Sequence, residues 1–437
     1  MFNIFNLSLR LNGFPIKKAL VDYKNIQAIS SEKYEEYVMT QRSAIVAYHL
    51  KENHLYKELI GNKKIDQWEE LPIMTKKDFQ KPLEQRISKT FSLKNIYINK
   101  TSGSSGDPFI FAKDKYCHAL TWANIFHKFG QFEINFNTSL QARFYGIPLD
   151  FYGNTKERIK DFFSNRYRFP IFDLSDTFLE KVTQHFSNKK FDYINGYTSS
   201  IVVFAKFLEQ KQLVLKTICP SLKCCVVTSE MLFEEDKKLL EKQLGVPVVN
   251  EYGASELDLI AFQNPFEEWQ VNSETLYVEI VDDNDNVLPY GKEGRIVITS
   301  LYNKANPFIR YDIGDIGILD QTSSFKKPIL KKLIGRTNDI ALLPSGKKSP
   351  GLTFYYITKS IIEDDGNVKE FIIKQTKIDT FDIEYVSQTE LSTVQIDKIK
   401  KSSTTYLEEG LYFSFTRKEK LERSKSGKLK QFVSLVS

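Results

Sequence analysis

From about residue 30 to residue 93, apolar and polar positions mix at helical spacing with few breakers, which predicts helices across this stretch. Leu71-Pro72 interrupts it, and Thr75-Lys76-Lys77-Asp78 reads as the cap and first turn of a further helix. From Ile96 the texture changes to short strands and turns. Strands are predicted over residues 95–99 and 109–112, and a helix over 200–210 after the turn Asn195-Gly196-Tyr197. Residues 223–227 read as a buried strand, 233–244 as a charged amphipathic helix and 246–250 as another short strand. That strand–helix–strand order implies a parallel α/β sheet, because parallel neighbours need a crossover connection. Two strands of a β-rich section follow at 276–282 and 294–301, and a small mixed unit begins after Gly335, with strands at 370–374 and 412–416. The expected fold is therefore α/β. A large multi-subdomain N-terminal domain spans residues 1–337, with a helical segment over about 1–93, and a small α+β domain spans 338–437.

The length of 437 residues suits two or three compact units. At 41% hydrophobic and 27% charged residues, the chain has the apolar surface to form cores, which excludes a mainly disordered protein. A net charge of +6 with interspersed signs gives no footprint for nucleic acid. Four cysteines (Cys117, Cys219, Cys224 and Cys225) without a CxxC pair point to a reducing compartment and away from zinc. No run of about 18 apolar residues is present to span a bilayer. Asn3, Asn6, Arg10 and Asn12 break any signal-peptide core, so the expected location is cytoplasmic. Phe2, Phe5 and Leu9 share one helical face and are expected to dock on the protein's own body.

Several motifs fail. Gly291-Lys292, Gly346-Lys347 and Gly427-Lys428 lack the Ser or Thr that a Walker A loop requires, and there is no G-x-G-x-x-G. Asp282, Asn284, Asn286 and Glu293 stand at calcium-loop positions, but Val287 replaces the obligatory glycine and strand-like flanks replace helices, so a hairpin turn is expected. His118 and His127 lack ligand spacing and read as satisfied or solvated.

Other motifs survive. Thr101-Ser102-Gly103-Ser104-Ser105-Gly106 lies between two predicted strands. Its glycines let backbone N–H groups converge and its hydroxyls add donors without bulk, which suits a polyphosphate; the same composition also suits a flexible linker. In Asn250-Glu251-Tyr252-Gly253-Ala254-Ser255-Glu256, a strand ends in an aromatic able to stack on a base and an acid able to help hold Mg²⁺; an ordinary strand-to-loop turn has the same look. Asp315, behind Gly314 in Arg310-Tyr311-Asp312-Ile313-Gly314-Asp315, is the type of carboxylate that accepts ribose hydroxyls. Gly335-Arg336-Thr337-Asn338-Asp339 and Ser424-Lys425-Ser426-Gly427-Lys428 complete the set.

In order and separation these five motifs resemble the adenylate-forming superfamily of acyl-CoA synthetases and adenylation domains. The closest likeness is to its branch of phenylacetate–CoA ligase and CapK-type proteins, over roughly residues 71–432. The resemblance implies that Thr101, Ser102, Gly103, Ser104, Ser105 and Gly106 hold the ATP phosphates. It assigns Glu251 to Ser255 to the nucleotide, with Tyr252 flanking adenine, and Glu256 to Mg²⁺. Asp315 and Arg336 would hold ribose, Lys428 would bridge carboxylate and α-phosphate, and Asn338 would be the hinge of a mobile C-terminal domain. Tyr197 and Thr228 would border the acyl pocket. The implied substrates are ATP with Mg²⁺, a small carboxylic acid, and an acceptor. That acceptor is CoA or another thiol, or alternatively an amine or hydroxyl on a sugar in capsular or surface polysaccharide synthesis. Three departures stand out: Asp107-Pro108-Phe109 lacks the usual Pro-Lys, Thr228-Ser229-Glu230 lacks the usual glycine before the acid, and Asn338 replaces Asp or Lys.

Overall fold

The computed structural model describes residues 4–101, 110–146, 151–171, 174–336, 340–350, 368–423, 429–430 and 432–436. Helices α1 (Ile4–Leu11), α2 (Ile16–Ala28), α3 (Ser31–Glu52) and α4 (His54–Ile60) open the chain. Phe5 and Leu9 are buried, with Phe5 against Trp122, Phe126 and Phe136, so α1 docks on the body of the protein as expected; Phe2 lies outside the described residues. The helical expectation fails beyond Ile60, where only single 3₁₀ turns form at Trp68–Glu70, Lys76–Phe79 and Leu83–Gln85. Thr75 does form a capping box with Asp78, but over a four-residue turn. Pro72 and Pro82 break the run, and the carbonyls of Glu69 and Leu71 accept from the buried Arg310 side chain, at 2.7 and 2.8 Å, instead of from a helix.

The strands β1 (Ile96–Lys100) and β2 (Ile110–Asp114) pair antiparallel, so the Ser/Gly segment connects the two arms of one hairpin. Helix α5 (Lys115–Gly130) follows at once, capped by Asp114, whose carboxylate accepts from the N–H groups of Tyr116 and Cys117 at 3.0 and 2.9 Å. Then β3 (Gln141–Phe144), α6 (Phe151–Phe163), β4 (Arg166–Phe169), α7 (Asp176–Asn188), β5 (Tyr193–Tyr197), α8 (Thr198–Gln210), α9 (Leu215–Ile218), β6 (Cys224–Thr228), α10 (Glu234–Leu244), β7 (Val248–Ala254), β8 (Asp258–Gln263) and β9 (Trp269–Val271) build the central sheet. Its order is β4-β3-β5-β6-β7-β8-β9. The pairs from β4 to β7 are parallel and the last two antiparallel.

Period-two alternation sorts the faces of this sheet. Ala142, Phe144, Ile194, Cys225 and Val227 turn to a large core shared with α7, α8 and α10. Gly196 permits this packing, since a Cβ there would meet that of Phe144 at 2.5 Å. Tyr193, Cys224 and Val226 face the other way, with Phe129 and Ile134 against them. Truncating a fully buried ring such as Phe204 to alanine costs about 3–5 kcal/mol in such a core.

A second, antiparallel sheet runs β10 (Leu276–Val281), β11 (Glu293–Ser300), β12 (Tyr311–Leu319) and β13 (Leu330–Arg336). The calcium-loop look-alike is the β10–β11 hairpin, where Asp282 accepts from the N–H groups of Asn284 and Asn286. The C-terminal part holds the hairpin β14 (Ile340–Leu342) and β15 (Lys348–Pro350). It also holds a sheet of β16 (Val368–Lys377), β17 (Thr380–Ser387), β18 (Tyr412–Lys418) and β19 (Phe432–Ser434), ordered β18-β17-β16-β19, with α11 (Thr393–Tyr406) between β17 and β18. No helix among the described residues is long and apolar enough to cross a membrane.

Candidate active site

A cavity of about 640 Å³ opens between the two large sheets, and the motifs meet there. Thr101, at the end of the β1 arm, lines it. Along β7, Glu251 and Gly253 face the cavity while Tyr252 turns into the core against Trp269. Ala254, Ser255 and Glu256 line it too, as do Tyr311, Asp312 and Gly314 of β12. Lys76 and Lys77, from the capped turn, stand in the same wall.

Two hydrogen bonds interlock the middle motifs. The hydroxyl of Tyr252 donates to Asp315 at 2.7 Å, and the hydroxyl of Tyr311 donates to Glu256 at 3.1 Å. Each motif thus supplies a phenol to the other's carboxylate, although 55 and 63 residues separate the partners. Asp315 pairs with Arg336 across β12 and β13, so the two ribose candidates are strand neighbours. Arg295 holds Asp312 at 2.7 Å, and Asp312 accepts from the N–H of Gly314, which sits in the left-handed region at φ 81°. Behind them Arg310, 1% exposed, pairs with Glu279, 2% exposed, at 3.5 Å, and burial pushes the Glu279 carboxyl above its ordinary range. Arg310 of the ribose motif is therefore a structural anchor for the start of β12.

At the other end of the cavity, Thr228 lines the wall, with its hydroxyl bonded to Glu251. Burial raises the Glu251 carboxyl, while Thr228 and the charge of Arg143 pull it back. Tyr197 is one layer behind, its ring 4.6 Å from that of Tyr145, which does line the cavity. Ser229 takes φ 70°, so a serine here adopts the backbone usual for the glycine it replaces. This turn aims Glu230, whose carboxylate accepts from the N–H of Ser199 at 2.7 Å and of Leu429 at 2.9 Å. A link between the C-terminal part and the core thus falls at Leu429, which follows Lys428 in the sequence. Lys428 itself, Asn338, Ser102, Gly103, Ser104, Ser105 and Gly106 lie outside the described residues. His118 is packed and neutral, stacked on Tyr97 at 3.9 Å and pushed down to about 4 by burial.

Sequence reading missed Gln141, Arg143 and Asn195, which line the same cavity as Thr228, and the clasp at Glu230. The signal was present in Gln141-Ala142-Arg143-Phe144, where polar and apolar residues alternate, but it looked like an ordinary half-exposed strand.

No family model matches the chain. It is 24% identical to Protein CapK of Staphylococcus aureus over 339 residues, which cover 74% of this chain and 70% of that one. It is 31% identical to a phenylacetate-coenzyme A ligase of Thermus thermophilus over 131 residues, 28% of this chain and 29% of that one. Among solved structures, 2-hydroxyisobutyryl-CoA ligase in the postadenylation state superposes with a TM-score of 0.72 at 15% identity, over 94% of this chain and 91% of that one. The chain thus has the fold of that ligase. By sequence it is similar to CapK and to phenylacetate-coenzyme A ligases. The same solved ligase in its thioesterification state superposes with a TM-score of 0.56 over 94% of this chain.

Proposed function

We propose that this protein activates a carboxylic acid with ATP, forming an acyl-adenylate and pyrophosphate, and then transfers the acyl group to a thiol such as CoA. The observation that carries this reading is the double interlock of Tyr252 with Asp315 and Tyr311 with Glu256 beside one cavity. It fixes a ribose-type carboxylate and a metal-type carboxylate at defined places before any ligand arrives.

A free carboxylate is a poor acyl donor because oxide leaves badly. In the proposed first step its oxygen attacks the α-phosphorus, a P–O bond forms, and the bond to pyrophosphate breaks. In the second step the acceptor adds to the acyl carbon, and AMP departs with the electron pair. Neither step demands a strong base; both need alignment and stabilisation of charge. Asp315, held from behind by the Tyr252 hydroxyl, would take the ribose, with Arg336 opposite it on β13. Thr101 and the Ser/Gly loop would take the phosphates, and Lys76 and Lys77 add positive charge where the loop lacks the usual lysine. Glu256 fits a hard cation, being a buried carboxylate that lines the cavity and is held by a neutral phenol, not an ammonium group. It would hold Mg²⁺, which would offset repulsion between carboxylate and triphosphate. Lys428 would stabilise the charge that develops as pyrophosphate leaves.

The test is pyrophosphate release with ATP and Mg²⁺ over a panel of aryl, fatty, amino and uronic acids. Lys428→Ala is expected to lower the rate on the order of 100- to 1,000-fold while ATP binding persists. Equal rates in mutant and wild type would remove Lys428 from the mechanism. A second reading, transfer to an amine or hydroxyl of a surface sugar, is favoured by the reach of the CapK match over 74% of the chain. AMP formation that depends on added CoA separates the two acceptors.

A further inference from the structure

The acyl end of the cavity is not a plain apolar slot. Phe129, Phe136 and Trp122 line one side, but the sheet presents Gln141, Arg143 and Asn195. These three come from neighbouring strands: β3 and β5 run parallel, with Arg143 opposite Asn195. They are linked in series. Arg143 donates to Gln141 at 3.4 Å, Gln141 donates to Asn195 at 3.5 Å, and Asn195 donates to the carbonyl of Val226 at 3.2 Å. The guanidinium also stacks 3.8 Å from the centre of the Tyr145 ring.

The nearby arginines differ from Arg143 in one respect. Arg166 reaches Asp161 at 2.5 Å, and Arg168 reaches Asp161 and Glu157 at 2.9 and 2.8 Å. Among the described residues no carboxylate lies within 4 Å of Arg143, and its Nε is buried with no hydrogen-bond partner. A buried donor left unmade costs free energy, so a position that keeps one next to a cavity is set for a ligand acceptor. A guanidinium fork matches a carboxylate in two parallel bonds, which no apolar acyl chain can use.

We propose that Arg143 determines acyl specificity, selecting an acid whose far end carries a second carboxylate, with Gln141 and Asn195 orienting the fork. This rests on the adenylation reading above and refines it. The rings along the opposite wall would cover the methylene chain between the two carboxyl groups.

The probes are non-hydrolysable acyl-sulfamoyl adenosines that carry malonyl, succinyl or glutaryl groups. Each is matched with an isostere in which isopropyl replaces the terminal carboxylate, and binding is measured by calorimetry. The wild-type protein is expected to prefer one diacid analogue over its isostere about 10- to 100-fold, the range of a charged hydrogen bond. Arg143→Met should abolish that preference, and Arg143→Lys should restore part of it. Because the wild-type preference needs no substitution, a variant that fails to fold leaves the question answerable. If isosteres bind as well as diacids, or if Arg143→Met weakens both members of a pair equally, the assignment of Arg143 to the acyl group is overturned while adenylation stands. If no analogue binds at all, the adenylation reading falls, and this inference falls with it.

Discussion

The two ends of the cavity are built in opposite ways. At the end proposed for the nucleotide the polar side chains are engaged with one another: Tyr252 with Asp315, Tyr311 with Glu256, Arg295 with Asp312. At the end proposed for the acyl group Arg143 carries a buried Nε with no partner and no carboxylate within 4 Å among the described residues. A site that binds the same nucleotide in every turnover gains from groups locked in advance, since alignment is then complete before the substrate arrives. A site that must distinguish one acid from another gains from a group the wrong ligand leaves unsatisfied, because an unmade buried bond is a larger penalty than a lost contact. On the proposed function the two ends divide catalysis from selection, and each can be altered separately.

The nucleotide end rests on Arg310, so the largest expected effect there is on stability. The guanidinium holds the carbonyls of Glu69 and Leu71 and the carboxylate of Glu279. Removing one partner of a buried ion pair leaves the other charged in a low-dielectric setting, at a cost of about 3–5 kcal/mol. Arg310→Ala is therefore expected to lower the thermal midpoint by several degrees, read by calorimetry. A midpoint unchanged from wild type would mean that β12 is held by its strand pairing alone and that the interlock needs no anchor.

Glu230 joins the acyl end to the C-terminal part, and its expected effect is smaller. Its carboxylate takes N–H groups from Ser199 and from Leu429, the residue after Lys428. Glu230→Ala removes a charged acceptor worth about 1.5–3 kcal/mol at most, part of which water replaces. Pyrophosphate release is expected to fall about tenfold in kcat, with little change in KM for ATP, because the nucleotide contacts are untouched. A rise in KM with kcat preserved would show that Glu230 serves the nucleotide and not the approach of the C-terminal part.

The division also explains what could be read from sequence. The strand–helix–strand core was legible because 223–227 and 246–250 are short apolar runs around an amphipathic helix, and β6 and β7 do pair in parallel. The nucleotide motifs were legible because each is a local string with chemistry of its own. Their reciprocal hydrogen bonds were not, since the partners are 55 and 63 residues apart and only the fold brings them together. The helical reading of 61–93 failed because local periodicity lost to a tertiary demand for carbonyl acceptors. Arg143 was hidden for the same reason. In a four-residue strand its charge looked solvated, and only the register of β3 against β5 places it beside Asn195.

The smallest effect tests the interlock itself. Tyr252→Phe keeps the ring packed against Trp269 and deletes only the hydroxyl that donates to Asp315 at 2.7 Å. Asp315 keeps its charge and its place opposite Arg336 on β13, so ribose can still be held, but the carboxylate gains rotational freedom. The loss should be that of one buried hydrogen bond, part of which water entering from the cavity replaces, about 1 kcal/mol, or roughly fivefold in affinity for ATP. At the acyl end the same substitution should leave the preference between a diacid analogue and its isostere unchanged, because Tyr252 faces away from the cavity. A shift in acyl preference on Tyr252→Phe would mean that the two ends are coupled through β7, on which Tyr252 and Glu251 are adjacent, and that selection and catalysis are not separable in this protein.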